Sequence, residues 1–520
     1  MPAQQPTAGR SPAQCPIARD RARETFHNDP NALQYNDRLW LRQPSFVGSP
    51  PMTETNSSQS ASPPGSLPRE IGLGGSVVIV IGTIIGSGIF LVPHDVARQV
   101  GNVRDLYLVW IVGGVLALAG ALSLAELGAA IPEAGGVYVY LREAYGRLAA
   151  FLFGWASLLV IDAGSAATLA VAFGIYSTTF VPLTPPEEKG IAVLVVAILT
   201  FINILGVKKG TAVQGIFTVA KLAGLATIAA CAVFIAKAAP LAGTRPLPTL
   251  HTTGSSFGVA LVAVLWAYQG WHQLSYNAGE IKNPSRTLPI GFLLGTLVVV
   301  ATYLGANAAY LHVLSLSALS EHQRVAAATM SILAGPRGAV FVAALILCSI
   351  FGALNGTILT ASRVYYAMAR DRLFFRSVSR LHSKFQSPIG SLLILGIWSS
   401  VLAVSGSFEQ LYTYVVFTMW VFSGAAIFVV IILRRRRPEL ARPYRVPAYP
   451  YLPIAFVLAA AAIVINTVVS EPFESLAGLG IVFTGIPLYI FWQRFDHRRL
   501  LKTHNRGARG GRSQTDPKAG

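Results

Sequence analysis

Polar residues without a sustained apolar period run from Met1 to about residue 70; beyond that point the chain turns into long apolar stretches separated by short polar ones. A helix that crosses a bilayer needs about 20 mostly apolar residues. Twelve stretches have that character, near 71–93, 106–131, 147–176, 190–206, 211–236, 255–279, 290–313, 338–369, 388–405, 409–433, 449–469 and 475–493. The pattern predicts an all-α integral membrane protein with twelve transmembrane helices. The eighth stretch is long enough to continue past the membrane surface. The tails, 1–70 and 494–520, are predicted to lie outside the bilayer. The first is rich in Pro, Ser, Gln and Asn and reads as disordered, and the second is short and basic. Met1–Arg10 is polar with no apolar run behind it, unlike a secretory signal. Met52–Pro68 alone would form an ordinary polar leader, which makes Met52 a second candidate start.

The loops test the span count. With an even number of spans both tails share one side, together with the loops after even-numbered spans. Those loops carry 18 Lys and Arg and the tails another 15; the opposite loops carry 7, and Lys221 sits inside a span. Positive charge is retained in the cytoplasm during insertion, so both ends are predicted to be cytoplasmic. A missed span would scramble this asymmetry.

Composition agrees. The 520 residues are 53% hydrophobic and 12% charged, against about 25% charged in a soluble domain. The net charge of +18 is spread between apolar runs rather than gathered on one folded face, so it calls for no nucleic-acid partner. Basic residues in the tails suit anionic membrane lipids. Cys15, Cys231 and Cys348 form neither a disulfide framework nor a metal-ligand spacing. No metal or cofactor is expected.

Glycine weakens a helix by about 1 kcal/mol relative to alanine, yet the first stretch holds six, at Gly72, Gly74, Gly75, Gly82, Gly86 and Gly88. Two readings fit. Small residues allow tight helix packing. Alternatively, Gly82-Thr-Ile-Ile-Gly86-Ser87-Gly88-Ile-Phe90 breaks the helix at mid-membrane, where unwound backbone is tolerated only along a cavity. Free amides and a positive helix end there hold an anion such as a carboxylate. The sixth stretch, Trp266-Ala-Tyr-Gln269-Gly270-Trp-His272-Gln-Leu-Ser-Tyr276-Asn-Ala-Gly-Glu280 and on to Pro289, is unusually polar and aromatic for a span centre. Interrupted spans at matching places in two sets of five point to an inverted-repeat transporter with its site at the midplane.

Four ordered blocks then carry a specific resemblance. They are Gly82–Phe90; Pro132-Glu-Ala-Gly-Gly-Val-Tyr138-Val-Tyr-Leu-Arg142-Glu-Ala-Tyr-Gly146 with Phe153-Gly-Trp155; Trp266–Pro289; and Phe351-Gly-Ala-Leu-Asn355-Gly356 with Ser362-Arg363-Val-Tyr365. Over about residues 70–495 the chain resembles the amino acid–polyamine–organocation superfamily, and within it the L-type amino acid transporters. The resemblance implies a LeuT-type five-plus-five inverted repeat with discontinuous helices 1 and 6. Its repeats would be 71–236 and 255–433, with spans 11 and 12 (449–493) outside them. It implies that amides around Gly86, Ser87 and Gly88 take the substrate carboxylate. Carbonyls near Thr83 and Ile84, and near Trp266, Ala267 and Gly270, would take its ammonium. Trp266 matches an aromatic gate. Relatives often carry Phe there, and Gly or an acidic residue in place of Gln269.

Lys221 is the one Lys or Arg well inside a span. A charge at the bilayer centre costs about 2.5–3.5 kcal/mol on insertion scales, which marks it as functional. The resemblance matches it to a lysine that replaces a sodium ion and bridges spans 1 and 8, implying sodium-independent transport, by proton coupling or by exchange. Ser349 is its expected partner. Asp162 is a second buried charge, expected to pair with Lys221 or a water, or to approach a cationic substrate. Glu126 and Glu280 are expected in helix-end salt bridges, His272 beside the pocket or packed, and Tyr412, Phe417 and Trp420 in its wall.

These residues favour a secondary amino acid transporter working by alternating access. An enzyme would need a nucleophile with a base, or metal ligands, converging inside the spans, and His272 is the one histidine away from the span ends. A channel or sensor is the remaining rival. Neutral substrates are favoured, because neither broken-helix motif holds an acidic residue for a side-chain cation; a cationic amino acid or polyamine is the alternative. Eukaryotic relatives join a single-span glycoprotein through a loop cysteine after span 3, and Ser177–Gly190 has none. No disulfide-linked heavy subunit is therefore expected, and the chain is expected as a monomer or homodimer.

Overall fold

Helix starts in this chain are written in short polar signals. Asn102 accepts the Asp105 amide at 2.8 Å and opens the helix Val103–Ala130. Thr184 and Glu187 form a capping box ahead of Pro185–Ile204, and Thr253 with Ser256 does the same for Gly254–Ala267. Each satisfies amides that a helix start leaves bare. The computed structural model describes residues 67–235, 252–406, 408–470 and 472–494. Most of both tails, the segment 236–251 and the side chain of Tyr412 lie outside the described residues.

Every predicted apolar stretch overlaps a helix, and the first and sixth are interrupted. In chain order the helices are α1 (Leu73–Ile84), α2 (Gly88–Gln99), α3 (Val103–Ala130), α4 (Val137–Tyr145), α5 (Arg147–Ala156), α6 (Asp162–Ser177), α7 (Pro185–Ile204), α8 (Val207–Ile235), α9 (Gly254–Ala267), α10 (Pro284–Val313), α11 (Leu316–Glu321), α12 (Val325–Arg370), α13 (Ile389–Ser405), α14 (Phe408–Arg436), α15 (Tyr451–Ser470) and α16 (Pro472–Phe483). By length and composition eight described helical stretches are long and apolar enough to cross a membrane, and the bent pair α1–α2 adds one more. Two shorter apolar helices, α9 and α13, fall below that length. Among the described residues the sole β-type pairing is a parallel bridge between Ile71 and Ile281.

Three departures from the expected helices matter. The third stretch is not one regular helix: α5 and α6 are joined by a π-helical turn, Ser157–Ile161, which sets Asp162 at the head of α6. The eighth begins earlier than expected, at Val325, and is broken at Ala334 and Gly335 just before Pro336. The break follows from Pro336, which clashes with a preceding helical turn. The residues 137–145, read as loop, form α4.

Contacts sort the connections into two ends, as alternating spans require. At one end Arg142 reaches Asp371 (2.9 Å), Glu133 (3.0 Å) and Glu143 (3.1 Å), and Arg437 reaches Glu143 at 2.7 Å. Lys208 meets Glu70, and the Lys282 amide donates to Ile71 O at 2.8 Å. These join the chain before α1 and the connections after the second, fourth, sixth, eighth and tenth stretches. Tyr138 of α4 donates to Asp371 at 2.9 Å, and burial together with that carboxylate raises its hydroxyl well above the ordinary phenol range. At the other end Gly101 N donates to Thr252, Lys189 donates to Val404 O, and Arg324 lies over the Tyr176 ring.

Glu126 and Glu280 sit in ion pairs as expected. Arg434 meets Glu126 through two bonds of 2.8 and 2.6 Å. Arg363 meets Glu280 through two bonds of 2.6 and 2.8 Å, both side chains fully enclosed. Removing one member of a buried pair strands the other, at about 3–5 kcal/mol. Arg363→Met is therefore expected to lower the stability of the detergent-solubilised protein by that amount in a thermal-shift measurement. Adding Glu280→Gln is expected to recover part of the loss, because the two sites share one interaction.

Candidate substrate site

Both glycine-marked stretches are broken. α1 stops at Ile84, Ile85 is extended (φ −75°, ψ 97°), and α2 restarts at Gly88 with a bend of 46°. Ser87 occupies the N-cap of α2 without a side-chain cap. The first amides of α2 thus lack the carbonyl partners of a continuous helix, and the positive end of its dipole faces the gap. α9 stops at Ala267; a turn through Gly270 leads to a 3-10 segment, Gln273–Glu280. The small residues therefore serve a break, and they serve close packing as well. A Cβ on Gly88 would lie 2.9 Å from Ala267 Cα. Gly270 holds φ +110°, and a Cβ there would lie 2.6 Å from Thr83 O. The two breaks touch through backbone because neither glycine has a side chain.

Between them lies a cavity of about 730 Å³, part of it open to solvent. Thr83, Ile84, Gly86, Ser87, Gly88, Trp266, Ala267 and Gly270 all line it, and so do Asp162, Gln269 and His272. Gln269 places its amide against Met419. Thr83 donates to Ile79 O at 2.7 Å and reaches Gly270 O at 3.3 Å, linking the breaks.

Lys221 and Ser349 stand behind the first break rather than in the cavity wall. Lys221 Nζ, fully buried, donates to Gly82 O (3.1 Å), Ser349 O (3.0 Å) and Ile85 O. The Ser349 hydroxyl donates to Gly86 O at 2.8 Å and approaches Ile85 O at 3.2 Å. Ser349 is thus a partner of the lysine through its carbonyl, while its hydroxyl secures the same unwound backbone. α8 and α12 are tied to the break by an ammonium meeting carbonyls alone. Asp162 does not pair with Lys221: it accepts from Ser157 and, among the described residues, joins no ion pair.

Some residues of the site carried no sequence signal. Tyr303 of α10 donates to Ala267 O (2.8 Å) and approaches Ile84 O (3.2 Å), holding one carbonyl of each break. One lone pair on each carbonyl is left for another donor. An isolated tyrosine in an apolar run reads as core. Gln273, from the polar sixth stretch, lines the cavity, and so do Ser165, Thr168 and Thr357. Their helical positions give no hint of which face is wet. Val415 and Met419 of α14 form an apolar wall; Phe417 and Trp420 are buried near them, outside the lining.

Comparison with known proteins gives the arrangement its family. The sequence profile described as amino acid permease matches residues 71–489. The b(0,+)-type amino acid transporter 1 of Mus musculus is 33% identical over 433 residues, which are 82% of this chain and 88% of that protein. The serine/threonine exchanger SteT of Bacillus subtilis (strain 168) is 34% identical over 431 residues, 81% of this chain and 96% of that one. The large neutral amino acids transporter small subunit 2 of Homo sapiens is 33% identical over 441 residues, 82% of each. Two facing helix breaks around one cavity, in a multi-pass helical membrane protein with these relatives, place the chain in the amino acid permease family of the amino acid–polyamine–organocation superfamily, as a transporter and not an enzyme.

Proposed function

We propose that the chain is a sodium-independent amino acid exchanger that works by alternating access. The observation that carries this reading is the meeting of two broken helices across one cavity, with every residue whose backbone is expected to touch substrate on its wall. The amides at Gly86, Ser87 and Gly88 and the positive end of α2 bind the α-carboxylate. Carbonyls of Thr83, Ile84, Trp266, Ala267 and Gly270 receive the α-ammonium, with Ile84 and Ala267 already bonded on one side by Tyr303. Trp266, whose ring lies against Gly88, closes over the bound molecule. Lys221 supplies the positive charge behind the break that a sodium ion would otherwise provide.

In this reading twelve spans form two inverted repeats, 71–236 and 255–433, with 449–493 outside them. Both termini face the cytoplasm, since the basic end of the molecule is the one that gathers the even-numbered loops. The protein sits in the plasma (cell inner) membrane as a monomer or homodimer, without a disulfide-linked heavy subunit. Exchange, rather than proton coupling, is favoured by the name and likeness of the Bacillus relative.

Counterflow in proteoliposomes tests the proposal. Labelled amino acid is expected to enter only when unlabelled amino acid is trapped inside, at the same rate in sodium and in choline buffer. Uptake that requires sodium would contradict the role of Lys221, and no uptake of any amino acid would defeat the reading altogether.

A further inference from the structure

The cavity has a second polar region, formed by Asp162 of α6 and by His272 at the end of the second break. Asp162 lies on its wall at 1% exposure, at the end of the π-helical turn. Its one described hydrogen bond comes from Ser157, whose hydroxyl also lies 3.4 Å from Tyr365 Oη. His272 faces the same cavity at 4% exposure, and both of its ring nitrogens lack a hydrogen-bond partner among the described residues. Behind the cavity wall the Tyr276 ring packs 5.3 Å from that of His272.

Such a group of acceptors is costly in an apolar setting. A buried carboxylate is normally paired with a cation, and a buried polar atom left without a bond costs about 1–3 kcal/mol. Ion pairs satisfy Glu126 and Glu280 elsewhere in the fold; Asp162 has none among the described residues. Lys221, the partner expected from the sequence, is committed to carbonyls. An aliphatic substrate side chain would cover Asp162 and the His272 nitrogens without bonding either. A side chain ending in an ammonium or guanidinium brings donors and the missing charge together.

We propose that Asp162, with a ring nitrogen of His272 beside it on the cavity wall, forms a side-chain subsite that selects amino acids bearing a second positive charge. This rests on the transporter reading above: the breaks hold the α-carboxylate and α-ammonium, which leaves the side chain to reach Asp162. It reverses the neutral preference expected from the two motifs, because the carboxylate comes from α6, outside both.

The test is counterflow with labelled lysine and labelled serine on the full chain, wild type and Asp162→Asn. The wild type is expected to take lysine in preference to serine. Asp162→Asn, which keeps the shape and removes the charge, is expected to lower the lysine-to-serine uptake ratio by about tenfold or more. Asp162→Glu, which keeps the charge, is expected to retain part of the preference, and size-exclusion elution checks that each variant is folded. The proposal fails if the wild type takes serine and refuses lysine and arginine. It fails too if Asp162→Asn lowers both uptakes in equal proportion, or if its effect is confined to a proton dependence of serine uptake. Absence of all amino acid exchange would defeat the transporter reading and this one with it, whereas exchange limited to neutral amino acids defeats this one alone.

Discussion

Lys221→Ala is expected to reduce amino acid exchange to near the level of empty liposomes, while the protein still inserts and elutes as one species. The reason is local. Nζ is the common donor to Gly82, Ile85 and Ser349 carbonyls, and hydrogen bonds to a charged group contribute about 1.5–3 kcal/mol each. Alanine leaves those carbonyls facing a void, with the Ser349 hydroxyl as the remaining link between α12 and the break. The amides at Gly86–Gly88 are useful only while held in place, and a displacement of about 1 Å at a preorganised site costs on the order of a hundredfold. The rest of the bundle does not depend on this contact, since α8 packs on α10 and α12 as well as on α1. Exchange retained at more than about a tenth of wild type would remove Lys221 from the mechanism, because a tenfold loss corresponds to only about 1.4 kcal/mol.

Gly270→Ala is expected to be nearly as damaging, by a different route. Alanine must adopt φ +110° there, at a cost of about 1–3 kcal/mol. Its methyl would also lie 2.6 Å from Thr83 O and 2.8 Å from Thr83 C, both backbone atoms that cannot turn aside. The breaks must separate where they touch, moving the ammonium-facing carbonyls away from the carboxylate-facing amides. Apparent substrate affinity is expected to fall by about 10–100-fold, equivalent to about 1.4–2.8 kcal/mol, measured as the half-saturating concentration in counterflow. Gly258→Ala is the control. It lies in α9, and a Cβ there meets nothing within 4 Å, so exchange is expected to be unaffected. Equal loss in both variants would mean that α9 tolerates no alanine, and would sink the argument from contact between the breaks.

Much of the site is legible in the sequence. The glycines at 82, 86 and 88 stand out by their clustering within one span, and the polar run from Trp266 to Glu280 because apolar spans rarely contain one. Lys221 stands out because charge in hydrocarbon is costly. Asp162 stands out as a charge that could pair with Lys221 or a water, or approach a substrate, but the choice among these is not legible, because its placement follows from the π-helical turn before it. Such a turn adds a residue to one helical loop and rotates everything after it, with no composition of its own. Tyr303 was invisible for a related reason. Its role lies in where α10 crosses the two breaks, not in its neighbours along the chain.

Chemical rarity thus marked the residues, and apolar length marked the spans. The run of about 20 apolar residues, the weak glycine stretches and the uneven loop charge are all local quantities, written in consecutive positions. Partnership is not local. That Lys221 meets carbonyls rather than Asp162, that Ser349 bonds the break through its hydroxyl, and that Asp162 and His272 share one cavity wall follow from the packing of helices far apart in the chain. Helical periodicity leaves several faces open to each residue, and only the packed bundle selects one of them.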